Sequence, residues 1–126
     1  MQASPTRGYQ VANVTTVDRV RIVVLCYEGC IANMSRAQEE MRAGNTSQKG
    51  AYLSKAMAIV TELMNTLDKE KGGEIAERLE LLYRYVIHTI SQANLKQDPN
   101  MLDGALRVLK ELKEGWSELA AKGGEF

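Results

Sequence analysis

The sequence predicts an all-α chain folded as an antiparallel, up-down-up-down four-helix bundle with a flexible N-terminal arm. Two observations predict it. Apolar residues recur at alternating intervals of three and four through four long segments, the spacing that gathers them on one side of a 3.6-residue turn. The links between those segments, 44–47, 70–73 and 96–98, are short, and short links fold consecutive helices back against each other. No segment reads as a strand.

The first helix is expected over about 16–43, with Val17, Val20, Val24, Tyr27, Ile31, Met34 and Met41 on its stripe. Thr16 or Asp18 suits its N-cap, because a short side-chain oxygen satisfies an orphan backbone N–H there. Gly44 and Asn45 end it. The second is expected over about 48–69, capped by Thr46 or Ser47, with Tyr52, Ala56, Ile59, Leu63 and Leu67 facing inward. Gly72 and Gly73 then permit a tight reversal. The third, about 74–96, opens on Glu74, whose carboxylate favours the positive end of the helix dipole, and repeats Ile75, Leu79, Leu82, Val86, Ile90 and Ala93. The fourth starts with Asp98 as cap and Pro99 in the first turn, and carries Leu102, Ala105, Leu109, Leu112, Trp116 and Leu119. Residues 1–15 contain Pro5 and Gly8 with little periodicity and read as a flexible arm, 16–121 as the bundle, and 122–126 as a frayed tail.

A chain of 126 residues that is 44% apolar has the size and content for one domain around one core. Sixteen basic residues are balanced by sixteen acidic ones, with no basic stripe to displace counterions, which argues against nucleic acid as a partner. The longest unbroken apolar run, 22–27, falls far short of the roughly 20 residues that cross a bilayer. With no signal core after Arg7, no membrane insertion and a cytoplasmic location are expected. Cys26 and Cys30 lie one helical turn apart, where a disulfide is awkward and reduced thiols serve as small apolar residues. A structural metal wants about four ligands, and with His88 the sole histidine no metal and no cofactor are expected.

The apolar arcs of helices 2 and 3 are wide. That of helix 2 runs from Ile59 through Tyr52, Leu63, Ala56, Leu67, Val60 and Leu53 to Met64 and Met57, about 160° where a core-facing stripe needs about 100°. The arc of helix 3 continues past Val86, Leu79 and Ile90 to Tyr83, Ala76 and Ile87. This surplus either completes the packing of the bundle or forms an apolar groove open to solvent. Met57 and Met64 suit the rim of a groove, because an unbranched thioether repacks around varied side chains. Ile22, Leu25 and Gly29 fall off the main stripe of helix 1 and underlie either the arm or a partner.

The elements LDKEKGGEIA (67–76), LELLYRY (79–85), QAN (92–94), the aspartate that follows and ELKEGW (111–116) resemble the flagellar secretion chaperone FliS family, and YEG (27–29) resembles its first-helix signature. Thr16, Val17, Asp18 and Arg19 stand where the family usually has a proline and glutamates, and Arg78 replaces a common asparagine. The resemblance implies a non-enzymatic cytoplasmic chaperone, a monomer or weak dimer. It binds the disordered C-terminal segment of flagellin, prevents premature polymerisation, keeps the client competent for type III export and meets the flagellar export gate. The partner-binding residues expected from the arcs of helices 2 and 3 and from the helix 1 residues off its stripe are Ile22, Leu25, Leu53, Met57, Val60, Met64, Tyr83, Ile87 and Ile90, and Tyr9 resembles the family's N-terminal tyrosine that docks over the client groove. Two rivals stand beside it. A structural bundle would self-associate through the surplus face. A histidine phosphotransfer module would use His88, but the segment HTISQAN offers no adjacent cation. A di-iron carboxylate site fails for want of a Glu-x-x-His pair.

Overall fold

The computed structural model describes residues 16–122, with side chains from Asp18 onward, so the arm with Tyr9 and residues 123–126 lie outside the described residues. Four helices make up the described chain: α1 (Thr16–Ala43), α2 (Thr46–Asn65), α3 (Lys69–Lys96) and α4 (Asp103–Ala121), with a 3-10 turn, Pro99–Leu102, leading into α4. Among the described residues there is no strand, and the fold is an all-α four-helix bundle.

The helix ends follow local chemistry. Gly44 takes φ +78, and the N–H groups of Asn45 and Gly44 donate to the carbonyls of Glu40 and Met41 at 2.9 and 3.2 Å, the double bond of a Schellman stop. Asn45 then occupies the cap of α2 in place of Thr46 or Ser47 and makes no side-chain cap bond; its amide donates backwards to Glu40 Oε1 at 3.3 Å. The second reversal lies earlier than 70–73. Thr66 Oγ1 donates to the carbonyl of Leu63 at 2.8 Å, closing α2 at Asn65, and Asp68 accepts from the Lys71 N–H at 3.1 Å, opening α3 at Lys69. The side chains of a threonine and an aspartate therefore take the turn that the glycines were expected to make. Gly73 still matters: at φ 51, ψ −126 it breaks the helix after one turn and re-aims it. Asp98 and Pro99 behave as expected, with the carboxylate accepting from Asn100 N–H at 3.0 Å.

α1 packs along α2 and α4, and α2 packs along α3, whereas α3 and α4 touch least. Tyr27, Cys30, Met34 and Ala37 of α1 meet Leu53, Ala56, Val60 and Leu63 of α2, Leu79, Tyr83, Val86, Ile90 and Ala93 of α3, and Leu102, Ala105, Leu106 and Leu109 in one buried cluster. The inward face of α2 is turned relative to expectation: Leu53 and Val60 are buried, while Tyr52 and Ile59 are only partly so, and Leu67 falls in the turn beyond the helix. Lying between α1 and α3, this helix serves two neighbours, and its wide arc is largely consumed by them.

Three aromatic side chains tie the core together. Trp116 Nε1 on α4 donates to the Tyr27 hydroxyl on α1 at 3.0 Å, and that hydroxyl shares a further hydrogen bond with the hydroxyl of Tyr83 on α3. The two tyrosine rings lie 6.3 Å apart, tilted by 43°. Gln38, also buried, donates to the Pro99 carbonyl and to Asp103 Oδ1, both at 2.8 Å, fixing the 3-10 turn to α1. Where α3 closely approaches α4, the Tyr85 hydroxyl lies against Gly104, 2.6 Å from where a Cβ would stand.

Gly73→Ala is expected to destabilise the bundle by about 1–3 kcal/mol in urea unfolding, because its φ and ψ are open to glycine and strained for other residues. Tyr27→Phe is expected to lower stability by about 1–3 kcal/mol, since it removes the hydroxyl that accepts from the Trp116 N–H and bonds the buried Tyr83 hydroxyl. Tyr83→Phe removes only the second of these bonds and should lower it less in the same measurement.

Candidate functional site

The sequence-derived partner residues separate into three groups. Ile22 and Leu25 stand on the surface of α1, 52% and 64% exposed. Met57, Met64 and Ile87 are half-buried, packed on the core from its edge. Leu53, Val60, Tyr83 and Ile90 are at most 2% exposed and belong to the core that α2 and α3 share with their neighbours. Tyr9 lies outside the described residues.

A furrow nevertheless runs between α2 and α3. It has a volume of about 310 Å³ and is lined by Leu53, Ser54, Met57 and Ala58 from one helix and Ile90, Ser91 and Asn94 from the other. Leu53 and Ile90 form its floor through the edges they leave uncovered, and Met57 stands on its wall. Small side chains at Ser54, Ala58 and Ser91 let another backbone come close, and Ser54, Ser91 and Asn94 offer hydrogen-bonding groups. The search for apolar periodicity could find the floor but not these polar walls. Beside the furrow, the buried stem of Lys49 carries its ammonium to the Asn94 carbonyl at 3.4 Å, near the negative end of α3.

Sequence periodicity also missed an outward stripe on α3. Leu81, Tyr85 and Leu95 are exposed, Leu81 by 68% and Leu95 by 77%, and Ile75, expected in the core, is exposed too. The spacing of 81, 85 and 95 places them opposite the buried line of Leu79, Val86 and Ala93, a signal hidden by the stronger inward pattern. His88 is exposed on the same outward side.

A second hollow, of about 370 Å³, lies between α1 and α4 and is lined by Ser35, Gln38, Asp103, Leu106, Arg107, Lys110, Glu111 and Glu114. Its charges are of mixed sign, two basic and three acidic, and define no anionic or cationic site. Among the described residues no cluster of three or more His, Cys, Asp or Glu side chains could hold a metal ion, and no helix is long and apolar enough to cross a membrane.

Both cysteines are free thiols. Burial, then the neighbouring Cys26, pushes the Cys30 thiol from 9.0 up to about 12. Burial and then the Glu62 carboxylate raise Cys26. Tyr27 and Tyr83 are likewise raised, burial being the largest cause for each. These groups are tuned to stay neutral, the opposite of what a nucleophile requires.

A sequence model of the family described as flagellar protein FliS matches residues 1–123. The chain is 36% identical over 99 residues to the flagellar secretion chaperone FliS of Vibrio cholerae, covering 79% of this chain and 73% of that one. It is 32% identical over 109 residues to the flagellar secretion chaperone FliSB of Pseudomonas aeruginosa, covering 86% of each. It is 25% identical over 115 residues to the flagellar secretion chaperone FliS of Bacillus subtilis, covering 91% of this chain and 85% of that one.

The raised thiol sets a pH dependence. An acid whose folded pKa lies above its unfolded value contributes stability that is complete below the unfolded pKa and is lost as pH rises toward the folded one. For Cys30 that window runs from 9.0 to about 12. Urea midpoints are therefore expected to fall as pH climbs above 9, and Cys30→Ala, although less stable at neutral pH, should show a shallower fall at the start of that range.

Proposed function

The chain belongs to the flagellar protein FliS family, so its role is that of a chaperone in flagellar export and not that of an enzyme, and we propose that its client is the disordered C-terminal segment of flagellin, held in the cytoplasm until secretion. The observation that carries this reading is the furrow between α2 and α3, with its apolar floor and small polar walls. An amphipathic segment that folds on contact can lay its apolar face on such a floor, reading anchors at helical spacing.

In this reading Ile22, Leu25, Met57, Met64 and Ile87 touch the client directly. Leu53 and Ile90 present the furrow floor, and Val60 and Tyr83 act from behind by holding that floor in place. Ser54, Ser91 and Asn94 satisfy polar groups at the ends of the client helix. Tyr9 is assigned to the empty state, in which its ring covers the furrow and is displaced when the client arrives. The exposed residues of α1 lie apart from the furrow along the chain, so the client wraps more than one helix. Ordering a disordered segment costs entropy residue by residue, and an extended interface of roughly 1,000–3,000 Å² offsets that cost while leaving each contact weak. Weak, distributed contacts can be released one after another at the export gate. Occupying the client's assembly segment is what prevents polymerisation.

Calorimetry with a peptide of the flagellin C-terminal segment tests the reading. A saturable one-to-one binding heat with a negative heat-capacity change is expected, and Met57→Asp and Leu25→Glu are each expected to weaken affinity by about tenfold, a loss of 1.4 kcal/mol. Leu25 is 64% exposed, so the urea midpoint of its variant should move little, whereas Met57 packs on the core from its edge and its variant is expected to lose some stability as well. Absence of binding heat, together with a concentration-independent dimer in light scattering that the peptide leaves unchanged, would instead establish a self-associating bundle.

A further inference from the structure

The second half of α4 is held differently from the first. Leu102, Ala105, Leu106 and Leu109 are buried at or just before its start, whereas no residue after Leu109 is fully buried in the described chain; Leu112 and Trp116 pack on the core from its edge, and Leu119 and Ala120 are half-covered. Up to Gly115, Asp103 accepts from buried Gln38 at 2.8 Å and Lys113 pairs with Glu28 at 3.5 Å. Beyond it, Trp116 reaches across to the Tyr27 hydroxyl at 3.0 Å.

Gly115 lies within the half-covered stretch without a packing reason to be glycine, since a Cβ added there would meet nothing within 4 Å. Gly104 in the same helix is different, because the Tyr85 hydroxyl occupies the space of its missing side chain. A glycine in a helix interior weakens the helix about fivefold relative to alanine. At Gly115 that weakening comes with no compensating contact, immediately before the residue that carries the latch.

We propose that residues 116–121 are a strap that detaches from the bundle as a unit, with Gly115 as its hinge and Trp116 as its latch. Tyr27 opposite Trp116 and Glu28 opposite Lys113 set a register that brings Leu119 beside the turn of α1 bearing Val20, Val23 and Val24. Release of the strap uncovers that apolar turn and the outer side of the Tyr27 hydroxyl. The Tyr27–Tyr83 hydrogen bond and the buried first half of α4 stay in place, so the bundle keeps its core while it opens a second surface. The device is independent of which client the chain carries.

Residue-resolved amide hydrogen exchange on the full chain tests this. Amides 117–121 are expected to share one protection factor, separated by a step at Gly115 from the higher protection of 105–109. Trp116→Phe keeps an aromatic ring but removes the N–H, and is expected to speed exchange of 117–121 by roughly two- to tenfold while leaving 105–109 unchanged. Gly115→Ala should slow the same block about fivefold and requires no loss of stability to be read. A protection profile that declines smoothly to the end of the helix would overturn the proposal. So would a Trp116→Phe variant in which 105–109 accelerate as much as 117–121, because the tryptophan would then belong to the global folding unit.

Discussion

The bundle depends on the buried hydrogen bond between the Tyr27 and Tyr83 hydroxyls at its centre, to which the half-covered Trp116 indole adds from the rim. Hydroxyl groups removed from water must find partners within the protein, and a missed partner costs more than a made one returns. That asymmetry gives the pair its organising power. Leucine against leucine tolerates a shift of a residue or two, whereas two buried hydroxyls from two helices meet in one register. α1 supplies one of them, and α1 is also the helix that packs along both α2 and α4. Gln38 repeats the arrangement further along α1, joining it to the 3-10 turn and the start of α4. With α1, α3 and α4 located by polar contacts, α2 needs only apolar burial to complete the core.

This division of labour determines which apolar residues remain outside. Because α2 lies between α1 and α3, its wide arc is shared by two partners, and Leu53 and Val60 end inside. The seam between α2 and α3 still does not close along its outer edge, because Ser54, Ala58 and Ser91 are too small to fill it. The furrow is therefore a deficit of side-chain volume over a hydrophobic floor. α3 and α4 are joined differently: a tyrosine tip rests on a glycine, and the two helices otherwise touch least. That looseness leaves Leu81 and Leu95 on an outward face with nothing packed over them.

Much of this was legible in the amino acids. The three-and-four spacing located all four helices, Gly44 marked the end of the first, and Asp98 with Pro99 marked the entry to the last. The second reversal was not, because a pair of glycines is a louder signal than Thr66 and Asp68, although side-chain hydrogen bonds at those two residues end one helix and begin the next. The orientation of α2 was hidden for a different reason. A helical wheel reports how wide an apolar arc is, but not how many neighbours divide it, so Leu53, Val60 and Tyr83 read as surplus while Ile75 read as core. Nothing in a one-dimensional pattern distinguishes a residue buried by two helices from one facing a furrow between them. The polar furrow walls and the Tyr85–Gly104 contact arise from juxtapositions made only on folding.

A chaperone of this kind faces a physical conflict, since the apolar surface that attracts a client also attracts a second copy. Net charge does not resolve it, because the sixteen basic and sixteen acidic residues cancel and supply no general repulsion between molecules. The arrangement of the surface does. Exposed apolar groups are kept apart: Ile22 and Leu25 on α1, the narrow furrow between α2 and α3, and Leu81 and Leu95 on the outer side of α3, where Arg84 and His88 intervene. A rigid, convex copy of the same bundle can cover one such patch at a time and gains little from it. A flexible segment that becomes helical as it docks can reach several in sequence and add their contributions. Under the proposed function, fragmenting the apolar surface would favour an unstructured partner over a folded one, with no need for any single contact to be strong.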